Sequence, residues 1–175
     1  VSKTNQSYLR TMFDKLQGNG RIWVYVANRP LTESEQSDIS SNLNDFCHSW
    51  AAHGNQLLAE FHVVYNQLLV LAVDEDVEAA SGCSIDKATA SFKAIDAKYN
   101  LDLFNRMNLT FVVNDKIKIV QLADISQAYH AGLITDNTPF LDNTISLLSD
   151  FRNRWKVAFN QSWAYRKVKK GVQNA

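Results

Sequence analysis

A chain of 175 residues, 46% apolar, 11% aromatic and 21% charged, is long enough to bury a core without disulfides or metals and predicts one soluble globular domain. Its formal charge is zero and it has only two cysteines, Cys47 and Cys83, which excludes a disulfide framework and suits a reducing compartment. No apolar run approaches the ~20 residues that cross a bilayer, and the opening VSKTNQSYLR lacks the apolar core of a secretory signal, so the expected location is the cytoplasm.

In chain order, Leu9, Met12, Phe13 and Leu16 fall on one face of a short helix within residues 1–20, with Gly18 and Gly20 as its stop. Residues 22–28, IWVYVAN, are β-branched and aromatic on both faces and predict a buried strand ended by Pro30. Thr32-Glu33-Ser34-Glu35 is a capping box, and Ile39, Leu43, Phe46, Cys47 and Trp50 give the helix behind it one apolar face, closed by His53-Gly54. Strands follow at 58–65 and 68–73 about Asn66-Gln67. A second helix starts near ASGCSID with Ile85, Phe92, Ile95 and Tyr99 inward, and a hairpin runs over 109–120 about Asn114-Asp115. The last third, 122–175, predicts C-terminal helices. The longer begins at Thr138-Pro139, with proline at the first helical position, and runs through Leu141, Ile145, Leu148, Phe151 and Trp155.

The order over 21–121 is that of a ferredoxin-like βαββαβ core with an extra hairpin strand, an α+β class. Right-handed crossovers are expected to set the first and third strands side by side and parallel, with both helices on one face. One sheet edge then gathers Arg29 and Thr32 from the first crossover with Asp74, Asp76, Gly82, Cys83, Ser84 and Asp86 from the second. Two helix starts and Arg29 on that edge would hold a small anion or carboxylate, while Asp74 and Asp76 would instead face a cation, so Arg29, Asp74, Asp76, Gly82, Ser84 and Asp86 are the expected ligand-binding residues. The competing expectation is purely structural: Gly82 turns the chain, Ser84 caps the helix and Cys83 packs as a small apolar residue.

Cys83 is also the candidate nucleophile of a thiol-dependent enzyme, since a helix N-terminus lowers a thiol's pKa. A base is harder to find. His53 is expected at the opposite edge, with His48 one turn before it, His62 falls within a strand, and His130 belongs to the C-terminal region. Neither cysteine has a partner at zinc-ligand spacing, and two aspartates do not make a cation site, so no metal and no cofactor is expected.

The charge is unevenly spread. Residues 1–150 carry 11 Lys+Arg and 18 Asp+Glu, a balance of −7, while 151–175 carry 7 Lys+Arg and no acid, a balance of +7. Phe151, Trp155, Phe159 and Trp163 recur every four residues among Arg152, Arg154, Lys156, Arg166, Lys167, Lys169 and Lys170. That pattern fits bases and phosphates, with Arg152, Lys156, Arg166 and Lys167 as contacts, or an amphipathic helix at a membrane surface. It equally fits an aromatic stripe packed on the domain beneath solvated charges.

IWVYVANRPLT, WAAHG, LVLAVDEDVEAASGCSID and MNLTF together resemble a family of small Bacteroidetes proteins labelled "ABC transporter ATPase", over roughly residues 21–111. The resemblance implies that Trp50, His53-Gly54 and residues 82–86 belong to the family's pattern. It carries no mechanism, and without a Gly-x-x-x-x-Gly-Lys-Ser/Thr phosphate loop in the chain ATPase activity does not follow from the label. The leading expectation is a protein that binds a small molecule or a protein partner.

Overall fold

The computed structural model describes residues 11–16, 20–76 and 78–172, with nothing described for the side chains of 169–172. Most of the expected N-terminal helix, including Leu9 and Gly18, lies outside them. Within them Met12, Phe13 and Leu16 are buried, and a Leu16 N–H to Phe13 O bond of 3.0 Å closes a turn.

The protein is α+β. Strand β1 (Arg21–Val26) leads to helix α1 (Glu33–Ser49), whose capping box forms as its sequence dictates. The Glu35 N–H donates to Thr32 Oγ1 at 3.2 Å, and the Thr32 N–H donates to Glu35 Oε2 at 2.8 Å. A two-rung hairpin, β2 (Ala51–Ala52) with β3 (Asn55–Gln56), turns through His53 and Gly54, both at positive φ. Next come β4 (Ala59–Val64) and the wholly buried β5 (Leu68–Val73), then α2 (Gly82–Tyr99). The hairpin β6 (Asn108–Val113) and β7 (Lys116–Gln121) turns at Asn114 and Asp115, both left-handed at φ 51° and 58°. The remaining elements are α3 (Ile125–His130), β8 (Pro139–Leu141), α4 (Leu148–Arg154), β9 (Lys156–Ala158) and α5 (Tyr165–Val172).

Besides the β2–β3 hairpin, the described residues form two larger sheets, β1-β5-β4 and β7-β6-β8-β9, antiparallel throughout. The expected parallel pairing of the first and third strands is therefore replaced by an antiparallel one, with Val26 opposite Leu68 and Arg21 opposite Val73. The reason is where β5 enters the sheet. The β1–α1–β4 crossover makes β4 parallel to β1, and the tight turn after β4 slides β5 between them, antiparallel to both. The next strand does not extend this sheet. The outer edge of β1 meets residues 146–148 at one end, where the Ile22 N–H donates to Ser146 O at 3.0 Å and the Leu148 N–H to Gly20 O at 2.7 Å. Gly20 lies so close to β5 that a Cβ there would sit 2.7 Å from Val73 O.

Both long helices cover one face of the first sheet, where Ile39, Leu43, Trp50, Leu71, Ala88 and Phe92 share a core. The other face packs Met12, Phe13, Leu16, Val70, Leu148, Phe151 and Trp155. A third core, with Phe111, Phe140, Phe159 and Val168, joins the second sheet to α3 and α5. The long helix expected from Thr138 is absent: Pro139–Leu141 is a strand held between β6 and β9. Proline gives up no ladder donor at the end of a strand, and pairing with β6 outweighs the helical spacing of the segment. Among the described residues no helix is long and apolar enough to cross a membrane.

Candidate functional site

The antiparallel β1–β5 pairing separates the residues expected to share one edge. Arg29 sits by the end of α2: its guanidinium forks onto Glu35 at 2.9 and 2.7 Å and donates to Tyr99 O at 3.1 Å. Gly82 opens α2, whose 18 residues span ~27 Å. Arg29 and residues 82–86 are thus at opposite ends of one helix. The Glu35 carboxyl is pulled down to about 2, first by the Arg29 hydrogen bond and then by the Thr32 N–H.

The loop before α2 is locally satisfied. Asp74 Oδ1 accepts the Asp76 N–H at 2.9 Å, Glu75 takes the Ala80 N–H and pairs with Arg21, and Glu78 accepts from Asn55 at 2.9 Å. Asp76 and Asp86 point to solvent. Ser81, not Ser84, caps α2, its Oγ accepting the Ser84 N–H at 3.2 Å, while Ser84 is buried with its hydroxyl on Ser81 O. Gly82 keeps an ordinary φ with open space where a Cβ would go, so the turn does not require it. Among the described residues no three His, Cys, Asp or Glu side chains gather as a metal site.

Cys83 is exposed rather than packed, and Cys47 is the buried thiol. Burial, reinforced by the Glu60 carboxylate, pushes Cys47 up to about 12, where it carries no thiolate at neutral pH. The end of α1 meets the start of α2, with Trp50 Nε1 donating to Ser84 O at 2.9 Å, so His53 lies at the same end as Cys83 and not across the sheet. Among the described residues no hydrogen bond joins the two. No continuous basic helix forms at the C-terminus either. Arg152 donates to the Phe13 and Leu16 carbonyls at 3.1 and 2.8 Å, and Lys156 to the Tyr65 hydroxyl at 3.1 Å. Phe151, Trp155 and Phe159 are buried, leaving Arg166 and Lys167 exposed on α5.

A cavity of about 650 Å³ opens between the outer edge of β1 and the second sheet. All of β1 lines it, with Thr89 and Lys93 from α2, residues 103–106, the start of β6, residues 143–146 and Trp163. A volume of this size suits a small ligand. Aromatic rings shape the walls: Tyr25 stacks on Phe92 at 4.2 Å and meets Phe104 edge-on at 5.3 Å, while Trp163 stands against Phe140 at 6.2 Å. Phe104 and Trp163 keep 39% and 37% of their surface in solvent at the rim. Asn143 forms a fixed polar wall, donating to Thr110 Oγ1 at 2.9 Å and accepting from Trp155 Nε1 at 3.0 Å.

Its electrostatics are one-sided. Arg21, Lys93 and Arg106 line the cavity and no aspartate or glutamate does. Arg21 is paired with Glu75 at 3.4 Å, whereas Lys93 and Arg106 have no ion pair among the described residues. Burial raises the Tyr25 hydroxyl's pKa, opposed by the charge of Arg106 and a hydrogen bond with Thr89. Lys93, Phe104 and Arg106 carry no functional signal in the sequence, because the cavity joins segments more than a hundred residues apart. The one local signal was NRMN, residues 105–108, an arginine between asparagines with no acid beside it. Compared with protein-family models, curated proteins and solved structures, the chain matches none.

Proposed function

We propose that this protein binds an anionic ligand with an apolar body in the cavity between β1 and the second sheet. The observation that carries this reading is the lining itself: three cations, two of them without an acidic partner among the described residues, around aromatic and aliphatic walls with no carboxylate. In a chain of zero net charge such a wall is a local excess of positive potential, and low-dielectric surroundings focus it on whatever enters. The ligand site thus moves from the edge containing Arg29, whose guanidinium is already occupied by Glu35 and the Tyr99 carbonyl.

The test uses 8-anilinonaphthalene-1-sulfonate, an aromatic anion whose fluorescence rises on transfer to an apolar site. One saturable site is expected, weakened about tenfold or more in the double variant Lys93→Gln/Arg106→Gln and weakened by salt in the wild type. Equal binding by wild type and variant overturns the reading. A second reading, a thiol-dependent enzyme, is favoured by the exposure of Cys83 in the first turn of α2.

A further inference from the structure

We infer that the occupant of this cavity is an extended peptide segment bearing an acidic residue, which pairs with the open edge of β1 as an added strand; the inference rests on the anionic-ligand reading of the same site.

The hydrogen-bonding parity of β1 is settled at both ends. At its start the Ile22 N–H turns outward to Ser146 O, and just past its end the Ala27 N–H turns inward to Gln67 O. The register between β1 and β5 is unbroken from Arg21 to Val26. In an antiparallel ladder the direction alternates, so Arg21, Trp23 and Tyr25 bond to β5 while Val24 and Val26 present N–H and C=O outward. Those groups face the cavity, and none has a partner among the described residues.

Exposed edges are usually blunted by lysine, proline or a bulge, because unpaired backbone groups recruit other strands. β1 reads RIWVYV and has none of these beyond Arg21 at its first position. The chain itself already uses the edge, since residues 146–148 make a single antiparallel rung there and then leave through the turn closed by the Ile145 N–H on Asp142 O. Between Ile22, already bonded to Ser146, and Asn28, whose N–H donates to Leu101 O at 2.7 Å, the open edge runs from Trp23 to Val26, ~10 Å at ~3.4 Å per residue, room for a strand of about three or four residues. Strand addition draws affinity from main-chain hydrogen bonds and selectivity from the pockets beside them. Here Lys93 and Arg106 select a carboxylate, and Tyr25 and Phe104 offer an apolar contact next to it.

The experiment uses the full chain and a capped pentapeptide of alternating valine and threonine with glutamate at the centre. Two analogues are compared, one N-methylated at the odd amides and one at the even amides. Strand addition predicts that one analogue binds at least tenfold more weakly than the parent while the other binds as well, since only alternate amides face β1. It also predicts slowed hydrogen exchange at the Val24 amide. Val24→Pro, which deletes only an outward N–H and suits an edge position, loses the peptide about tenfold. Equal binding by parent and both analogues, unchanged Val24 exchange, or no peptide binding at ~1 mM each overturns the peptide inference. If the sulfonate dye still responds to Lys93→Gln/Arg106→Gln, the anion site stands without it. If Val24→Pro does not fold, the two methylated analogues decide.

Discussion

Trp50→Phe tests the joint that sets how the two long helices meet. Trp50 closes α1 with 1% of its surface exposed, and its Nε1 donates to Ser84 O at 2.9 Å across to the first turn of α2. Its ring also packs near Phe46 and Trp23, with centroids 5.2 and 6.1 Å away. Phenylalanine keeps an aromatic ring there and loses both the donor and part of the volume. The lost hydrogen bond is worth ~1 kcal/mol net. No full penalty for an orphaned carbonyl is added, because Ser84 O lies within α2 and keeps its helical N–H partner four residues on. The space left behind costs a further ~1–2 kcal/mol. The sum is ~2–3 kcal/mol, or ~5–10 °C in melting temperature for a chain of this length. Urea unfolding followed by circular dichroism measures it, with hydrogen exchange in the first turn of α2 as the local readout. A loss below ~0.5 kcal/mol, the size of a neutral surface change, would refute the claim that this bond fastens α1 to α2.

Two further outcomes follow from the same geometry. With Glu35 held at about 2 in the folded protein against 4.5 ordinarily, its ionised form contributes stability that is fully present above pH ~4.5 and is lost as pH falls toward 2; Arg29→Gln removes the largest cause, so the difference between wild type and variant in urea midpoint should shrink across that window, and a constant difference contradicts the pairing. Alkylation by iodoacetamide at neutral pH should modify Cys83 and spare Cys47, which reacts only on unfolding; modification of Cys47 in the native protein would contradict its burial, and an inert Cys83 would remove the thiol-enzyme reading.

The sequence by itself determined the elements whose signals are local. The capping box at Thr32 and Glu35 and the left-handed turn at Asn114-Asp115 each satisfy their backbone within a few residues, so a short window contains the whole interaction, and the unbroken apolar run LLVLAV marks β5 as buried on both faces. The candidate site was not legible in that way. The start of α2 was read one cap too late because serines at 81 and 84 both offer an Oγ, and only the folded backbone selects Ser81. The four-residue aromatic spacing from Phe151 to Trp163 fits a helix, yet Lys156–Ala158 completes a ladder begun at β6, and pairing energy between distant strands outweighs local periodicity. Tertiary structure alone decided that β1 and β5 run antiparallel, which sends Arg29 to one end of α2 and Cys83 to the other. It alone left the outer edge of β1 open beside Lys93 and Arg106, because a cavity is a property of how sheets fail to touch, and no stretch of sequence encodes that gap.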